Sequence, residues 1–202
     1  MANPPLPEPP YDGVLIFTGH MTDAPNRRLP RFPPSLEPFA AKAIDAQITA
    51  FRARFGTGIG IASGARGGDI LFHEACTANG LPTILVLPFS VDAFRRRSIS
   101  GAATGDWEAR FDALWHRLLP ENRIILDGEH DPDPFGACNR EMLALAQRHG
   151  KHVEHLALWD GADIGKPGGT GAFVQEVRAR GGHVMHLDTR QLLAQSRKHS
   201  KS

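Results

Sequence analysis

Little in this chain is present in excess. Among 202 residues there are only two cysteines, Cys76 and Cys138. Both fall in helix-like segments without the spacing of a metal site, which argues against a disulfide framework and reads as small buried hydrophobes of a reduced protein. Ten histidines are present, yet they form no H-E-x-x-H or Cys/His cluster, so no zinc site is expected, and no metal or cofactor is assigned. Neither sign of charge dominates. Twenty-three Lys and Arg against 22 Asp and Glu leave a formal charge of +1, so nucleic acid is not an expected partner and any anion selectivity must be local. No apolar run approaches the ~20 residues that span a bilayer. Met1-Ala2-Asn3-Pro4-Pro5 has neither a basic region nor an apolar core, so a cytoplasmic protein without a membrane partner is expected.

What is present is a regular alternation of apolar runs and helical patterns. Runs that read as strands cover residues 13–18, 58–63, 82–87, 123–126, 153–159 and 183–187, and helical patterns cover 38–55, 68–79, 106–118, 135–149 and 170–180. The runs are short and mostly continuous, which signals burial on both faces, as in a parallel sheet covered by helices. Strand alternating with helix predicts an α/β fold: a Rossmann-like, doubly wound, mainly parallel sheet with helices on both faces. The length suits one domain over residues 11–190. It is flanked by a leader over 1–10, extended or disordered with five prolines, and a polar basic tail over 191–202.

Two glycine-rich turns each join an apolar run to a helical stretch: Ser63-Gly64-Ala65-Arg66-Gly67-Gly68 and Lys166-Pro167-Gly168-Gly169-Thr170-Gly171. A phosphate needs that arrangement, because side chains are absent where backbone approaches the anion and the following helix offers free N–H groups and a partial positive charge. Arg66 inside the first turn can meet phosphate or carboxylate in a bidentate contact. Alternatively the glycines serve a tight turn and close helix packing, with Arg66 solvated. Asp69 and His73, four apart, share a face of the helix that follows; Asp69 can stabilise the helix start, and His73 can be a packed helix residue. Gly19-His20 leaves the first strand beside the expected ligand, and Asp160 ends the fifth strand, where it either contacts a ribose hydroxyl or begins a turn. Glu176 is a candidate carboxylate for an anomeric carbon, or an exposed residue near Arg180. Asn139 either hydrogen-bonds the ligand or holds a loop. Arg27, Arg28 and Arg31 sit in a long proline-rich segment that can fold over an anion as a lid or remain a solvated linker. Trp107, Phe111 and Trp115 recur at helical spacing and read as core.

On these residues the chain resembles the SLOG superfamily, the Rossmann-like group that includes the LOG phosphoribohydrolases and the nucleic-acid-binding DprA proteins. Ile16-Phe17-Thr18-Gly19-His20 looks like the first-strand exit of that group. Residues 63–69 look like the Ser-Gly-x-Ala-Arg-Gly-x-Asp turn of the DprA branch shortened by one residue. Residues 167–171 are similar to the start of the Pro-Gly-Gly-x-Gly-Thr-x-x-Glu signature of the LOG enzymes. Ala172 replaces the signature's Thr, and Gln175 stands where its carboxylate belongs, with Glu176 one residue late; one residue turns a helix by about 100°. The resemblance implies a pocket for a nucleotide or nucleotide-derived small molecule, in a sensing or regulatory role. Gly19, His20, residues 63–68 (Ser63, Gly64, Ala65, Arg66, Gly67, Gly68), Asn139, Asp160, Gly168, Gly169, Thr170 and Gly171 are its candidate contacts. The alternative is a LOG-like hydrolase that cleaves the N-glycosidic bond of a nucleoside monophosphate, with Glu176 or Asp69 as its carboxylate. The resemblance also makes pairing into a homodimer an expectation.

Overall fold

The computed structural model describes residues 6, 8–25, 27–102, 104–162 and 167–199. Six strands form one parallel sheet: β1 (Tyr11–Gly19), β2 (Gly58–Ala62), β3 (Thr83–Leu87), β4 (Arg123–Ile125), β5 (Gly150–Trp159) and β6 (Val184–Asp188). They lie in the order β4-β3-β2-β1-β5-β6. Between them run α1 (Glu37–Arg54), α2 (Gly68–Ala78), α3 (Val91–Phe94) leading into a π-helical turn over Arg95–Ile99, α4 (Trp107–Arg117), α5 (Pro134–His149) and α6 (Thr170–Ala179). A last helix, α7 (Thr189–His199), follows β6.

The continuous apolar runs are explained by what each strand face meets. Along β1, Leu15 and Phe17 join a core with Ile44 and Ile48 of α1, Phe72 of α2 and Phe111 of α4. Val14 and Ile16 join a second core, with Met142 and Leu143 of α5 and Phe173 and Val177 of α6. Both faces are covered, so alternation has nothing to mark. The expected stripe of Trp107, Phe111 and Trp115 packs into the first core. The expected strands and helices all form, with ends shifted by at most a few residues; β5 starts at Gly150 because its edge pairs with β1 from Tyr11 onward.

Residues 191–199, expected as polar tail, are helical instead. Their few apolar residues explain why the pattern is faint: Leu192 and Leu193 pack against the first core while the rest of the helix is largely polar. Residues 1–5 and 7 of the expected leader, and 200–202 of the tail, lie outside the described residues, as does Lys166 of the second glycine turn.

Chain order fixes where a ligand belongs. From β1 the chain steps outward through β2, β3 and β4, then returns past β1 to β5. The crevice above the carboxyl ends of β1 and β5 is therefore the switch point at which doubly wound sheets bind ligands.

Candidate functional site

A cavity of about 410 Å³ opens at that switch point, and both glycine turns contribute to its wall. From β1 come Gly19 and His20, from the first turn Ser63 and Ala65, and from the second turn Pro167, Gly168, Gly169, Thr170 and Gly171. α5 supplies Phe135, Cys138, Asn139 and Met142, while Phe94, Arg97 and Ser98 reach in from the segment after β3. The volume falls within the range of small-molecule sites, roughly 300–1,000 Å³.

The first turn owes its glycines to chain packing. A Cβ on Gly64 would sit 2.9 Å from Leu85 and 3.0 Å from Phe111. Gly67 has φ +96, and a Cβ there would fall 2.7 Å from the Thr22 nitrogen and 2.9 Å from the His20 carbonyl oxygen. A Cβ on Gly68 would meet the Gly19 Cα at 3.0 Å. The turn is zipped to the β1 exit: the Gly68 N–H donates to the His20 carbonyl (3.1 Å), and Met21 bridges to Gly67. Gly64, Gly67 and Gly68 do not line the cavity.

Arg66 takes neither of its expected positions. It is buried, at 7% exposure, rather than solvated, and it does not line the cavity. Its guanidinium donates to the Ser100 carbonyl (2.7 Å) and its backbone N–H to the Ser98 carbonyl (3.0 Å). The direction of one side chain in a mobile-looking Gly-Ala-Arg-Gly string is not encoded in spacing, which is why the sequence misplaces it.

Asp69 does reach the cavity. Burial pushes its carboxyl up to about 7, against the opposing pull of the Ala65 and Gly19 N–H groups that it accepts. His73, four residues on, is fully buried beneath it and pushed down to about 4 by burial. A neutral imidazole fits its contacts: Nε2–H donates to the Ser63 carbonyl (3.0 Å) and Nδ1 accepts from the Thr83 hydroxyl (3.0 Å). His73 thereby fixes Ser63, a wall residue, and is the packed histidine. Cys138 is likewise inert, its thiol pushed up to about 12 by burial and by Asp69.

Pro167 to Gly171 of the second turn all line the cavity. Gly168 has φ +70 and lies so close to α5 that a Cβ would come within 2.4 Å of the Phe135 Cβ. Asn139 Nδ2 donates to the Gly168 carbonyl at 3.2 Å, so of its two readings the loop-holding contact is the one formed. α6 begins at Thr170 with no side-chain cap on Gly169, leaving its first N–H groups for a ligand. Glu176, by contrast, pairs with Arg180 at 2.6 Å and does not line the cavity; the one-residue offset turns it aside, as the 100° step requires.

At the mouth, His20 Nε2 lies 3.1 Å from Asp160 Oδ1. Burial, with Arg31 and Arg27, lowers the His20 pKa against the pull of Asp160. The same Nε2 also stands 3.2 Å from the Asp160 backbone nitrogen. Burial alone would raise the Asp160 carboxyl, but the Ala162 N–H, His20 and Arg31 together hold it below the ordinary value. Asp160 begins a turn toward Ala162 and lies just outside the cavity wall, to which its neighbours Trp159 and Ala162 belong. Of the lid arginines, Arg31 lines the cavity, Arg27 pairs with Asp23 at 3.2 Å, and Arg28 is exposed.

Arg97, Phe94, Ser98, Phe135 and Met142 are among the wall residues that sequence reasoning missed. Arg97 sits in a run of three arginines whose pattern is neither helical nor strand-like, and that irregularity was the available signal. Among the described residues no cluster of His, Cys, Asp or Glu is arranged to hold a metal, and no helix is long and apolar enough to cross a membrane. Fold and site together define a doubly wound, Rossmann-like α/β protein with a cavity at its switch point. Compared with known proteins, the chain matches no family model, and no curated protein matches it.

Proposed function

We propose that the switch-point cavity binds a nucleotide or nucleotide-derived ligand, in a sensing or regulatory role. The observation that carries this reading is that Ser63 and Ala65 of the first glycine turn and Pro167 to Gly171 of the second line one cavity, with Asp69, Arg31 and Arg97 around it. The ligand's phosphate lies against the uncapped start of α6, where backbone N–H groups and the helix dipole both favour an anion. The base rests on the apolar wall of Phe135, Met142 and Trp159, where a π face finds aromatic and thioether partners. The likeness of both turns to those of SLOG proteins supports the same choice.

One observation favours a second reading, in which the protein cleaves the N-glycosidic bond of a nucleoside monophosphate. Asp69 is a carboxyl raised to about 7 on the cavity wall, the property of a general acid that works at neutral pH. In that reading Asp69 protonates the departing base as the C1′–N bond breaks, and water adds to the oxocarbenium-like sugar, returning its proton to the Asp69 carboxylate, to give ribose 5-phosphate and the free base. Glu176 has no part in it, being paired with Arg180 outside the cavity.

Calorimetric titration with a panel of nucleosides, nucleoside mono- and diphosphates and cyclic nucleotides tests both. Saturable binding by a member of the panel, without release of free base, is the expected result. Release of free base, abolished in Asp69→Asn, selects the hydrolase. No binding by any member, together with no nucleotide copurifying by mass spectrometry, refutes the nucleotide site.

A further inference from the structure

Three consecutive arginines follow α3, and the π-helical turn sends them to different places. Arg95 pairs with Asp112, while Arg96 and Arg97 are both exposed, and of these two Arg97 lines the cavity. A regular α-helix would turn by about 100° per residue here; the wider turn, closed by the Ser100 N–H on the Arg95 carbonyl at 2.9 Å, changes which of the three stands at the cavity. π turns are frequent at functional sites.

The Arg97 guanidinium lies over the Phe89 ring, 4.6 Å from its centroid. Phe89 in turn meets Phe135 edge-on at 5.5 Å, and Phe135 is the residue against which Gly168 packs. Arg97 thus stands on the side of the cavity formed by the second glycine turn. Stacking on Phe89 uses the face of the guanidinium and leaves its N–H edge for a bidentate acceptor. Among the described residues no carboxylate lies within ion-pair distance of it. Arg31, the other cation of the wall, already has Asp160 and Asp23 as counter-charges, although burial and Arg27 outweigh them and lower its pKa.

Arg66 is one of the residues that hold the π turn, beside the Arg95–Asp112 and Ser100–Glu108 contacts. Its two bonds, to the carbonyls of Ser98 and Ser100, bracket the turn's end from the far side of the first glycine turn. Arg66 is 7% exposed, its Nε has no hydrogen-bond partner, and no carboxylate of the described residues pairs with it. A buried cation without a counter-ion is destabilising, and its field adds to that of Arg97 beside the cavity. A bound anion relieves both.

We infer that Arg97 is the side chain that holds the ligand's phosphate, and that Arg66 is a positioning residue which acts through the π turn that presents Arg97. The inference rests on the cavity's being a nucleotide site. It is tested by a ligand-deletion cycle, using the tightest-binding nucleoside monophosphate of the panel and the matching nucleoside. For Arg97→Gln, affinity for the monophosphate falls about tenfold or more, as expected for loss of a charge-assisted bidentate contact, while affinity for the nucleoside is unchanged. Arg97→Lys, which keeps the charge, recovers part of the loss. Arg66→Lys, which keeps charge and loses the reach to Ser100, weakens the monophosphate alone. Combined with Arg97→Gln, it adds nothing further to the phosphate-dependent part.

Equal losses for nucleoside and monophosphate, or losses at the two arginines that simply add, overturn the proposal and leave the nucleotide site standing. A packing role for Arg66 alone shows instead as a lower melting temperature with both affinities reduced together, and that overturns its positioning role. If neither ligand binds the unaltered protein, the nucleotide site itself is refuted.

Discussion

Asp69 and His73 share a helical face and respond to burial in opposite senses, and that opposition has a consequence for stability. Asp69 is pushed up to about 7 and His73 down to about 4. Between pH ~4 and ~6.5 the unfolded chain therefore carries an ionised Asp and a charged His at these positions, whereas the folded protein carries neither charge. For Asp69 the folded pKa is raised, so its contribution is complete below pH ~4 and is lost as the pH climbs toward 7. For His73 the folded pKa is depressed, so its contribution is complete above pH ~6.5 and is lost as the pH falls toward 4. Each slope is about 1.4 kcal/mol per pH unit, and within this window they cancel. Asp69→Asn removes the falling limb alone. Unfolding free energies from urea titrations at pH 4.5, 5.5 and 6.5 are expected to rise with pH in the variant by roughly 1 kcal/mol per unit more than in the unaltered protein. Parallel profiles for the two proteins would show that Asp69 is not held neutral by its surroundings.

Elements are where the sequence is most legible, and the first glycine turn shows where legibility stops. The six strands are read correctly because a strand buried on both faces can tolerate few polar residues, and runs such as Val14 to Phe17 have no other explanation at that length. The turns are read correctly as turns. Which of their atoms face a ligand is a different matter, since Gly67 is demanded by the backbone of residues 20–22 crossing it, a neighbour some 45 positions away in the chain. Arg66 leaves its expected place, and Arg97, for which the sequence offered none, lines the cavity, for the same reason: two carbonyls of the π turn capture the first, and the turn places the second. The α7 pattern is too polar for periodicity to reveal, as only its contact with the first core stabilises it. Gly67 permits a direct check against Gly80, which also has positive φ but nothing within 4 Å of its would-be Cβ. Gly80→Ala incurs only left-handed strain, about 1 kcal/mol. Gly67→Ala adds a collision with backbone that cannot rotate away, for a total of about 2–4 kcal/mol. Chemical denaturation of both variants measures the gap, and equal costs would mean that the β1 exit is not clamped as described.

At the scale of the whole molecule, the site is a consequence of chain order rather than of any one motif. The chain builds β1 to β4 in one direction and then crosses β1 to start β5, so the first glycine turn belongs to one half of the sheet and the second to the other. β1 and β5 are joined along almost their full lengths, from Tyr11 with Gly150 to Gly19 with Leu158. Above their carboxyl ends the two halves are tied by few contacts: the His20 N–H on the Leu158 carbonyl, the His20–Asp160 pair, and the cavity between. A ligand that bridges this gap stabilises both turns together, because local opening of either one then requires its release. Amide hydrogen exchange should accordingly slow at residues 63–71 and 167–173 in parallel as the titrated nucleotide saturates, with residues 95–99 following if Arg97 engages it. At a ligand concentration of about 100 times Kd, linkage adds about 2.7 kcal/mol, which for segments that open locally corresponds to a slowing of roughly a hundredfold. Protection confined to 167–173 would place the ligand on α6 alone, and the first glycine turn would then be a packing device with no share in the site.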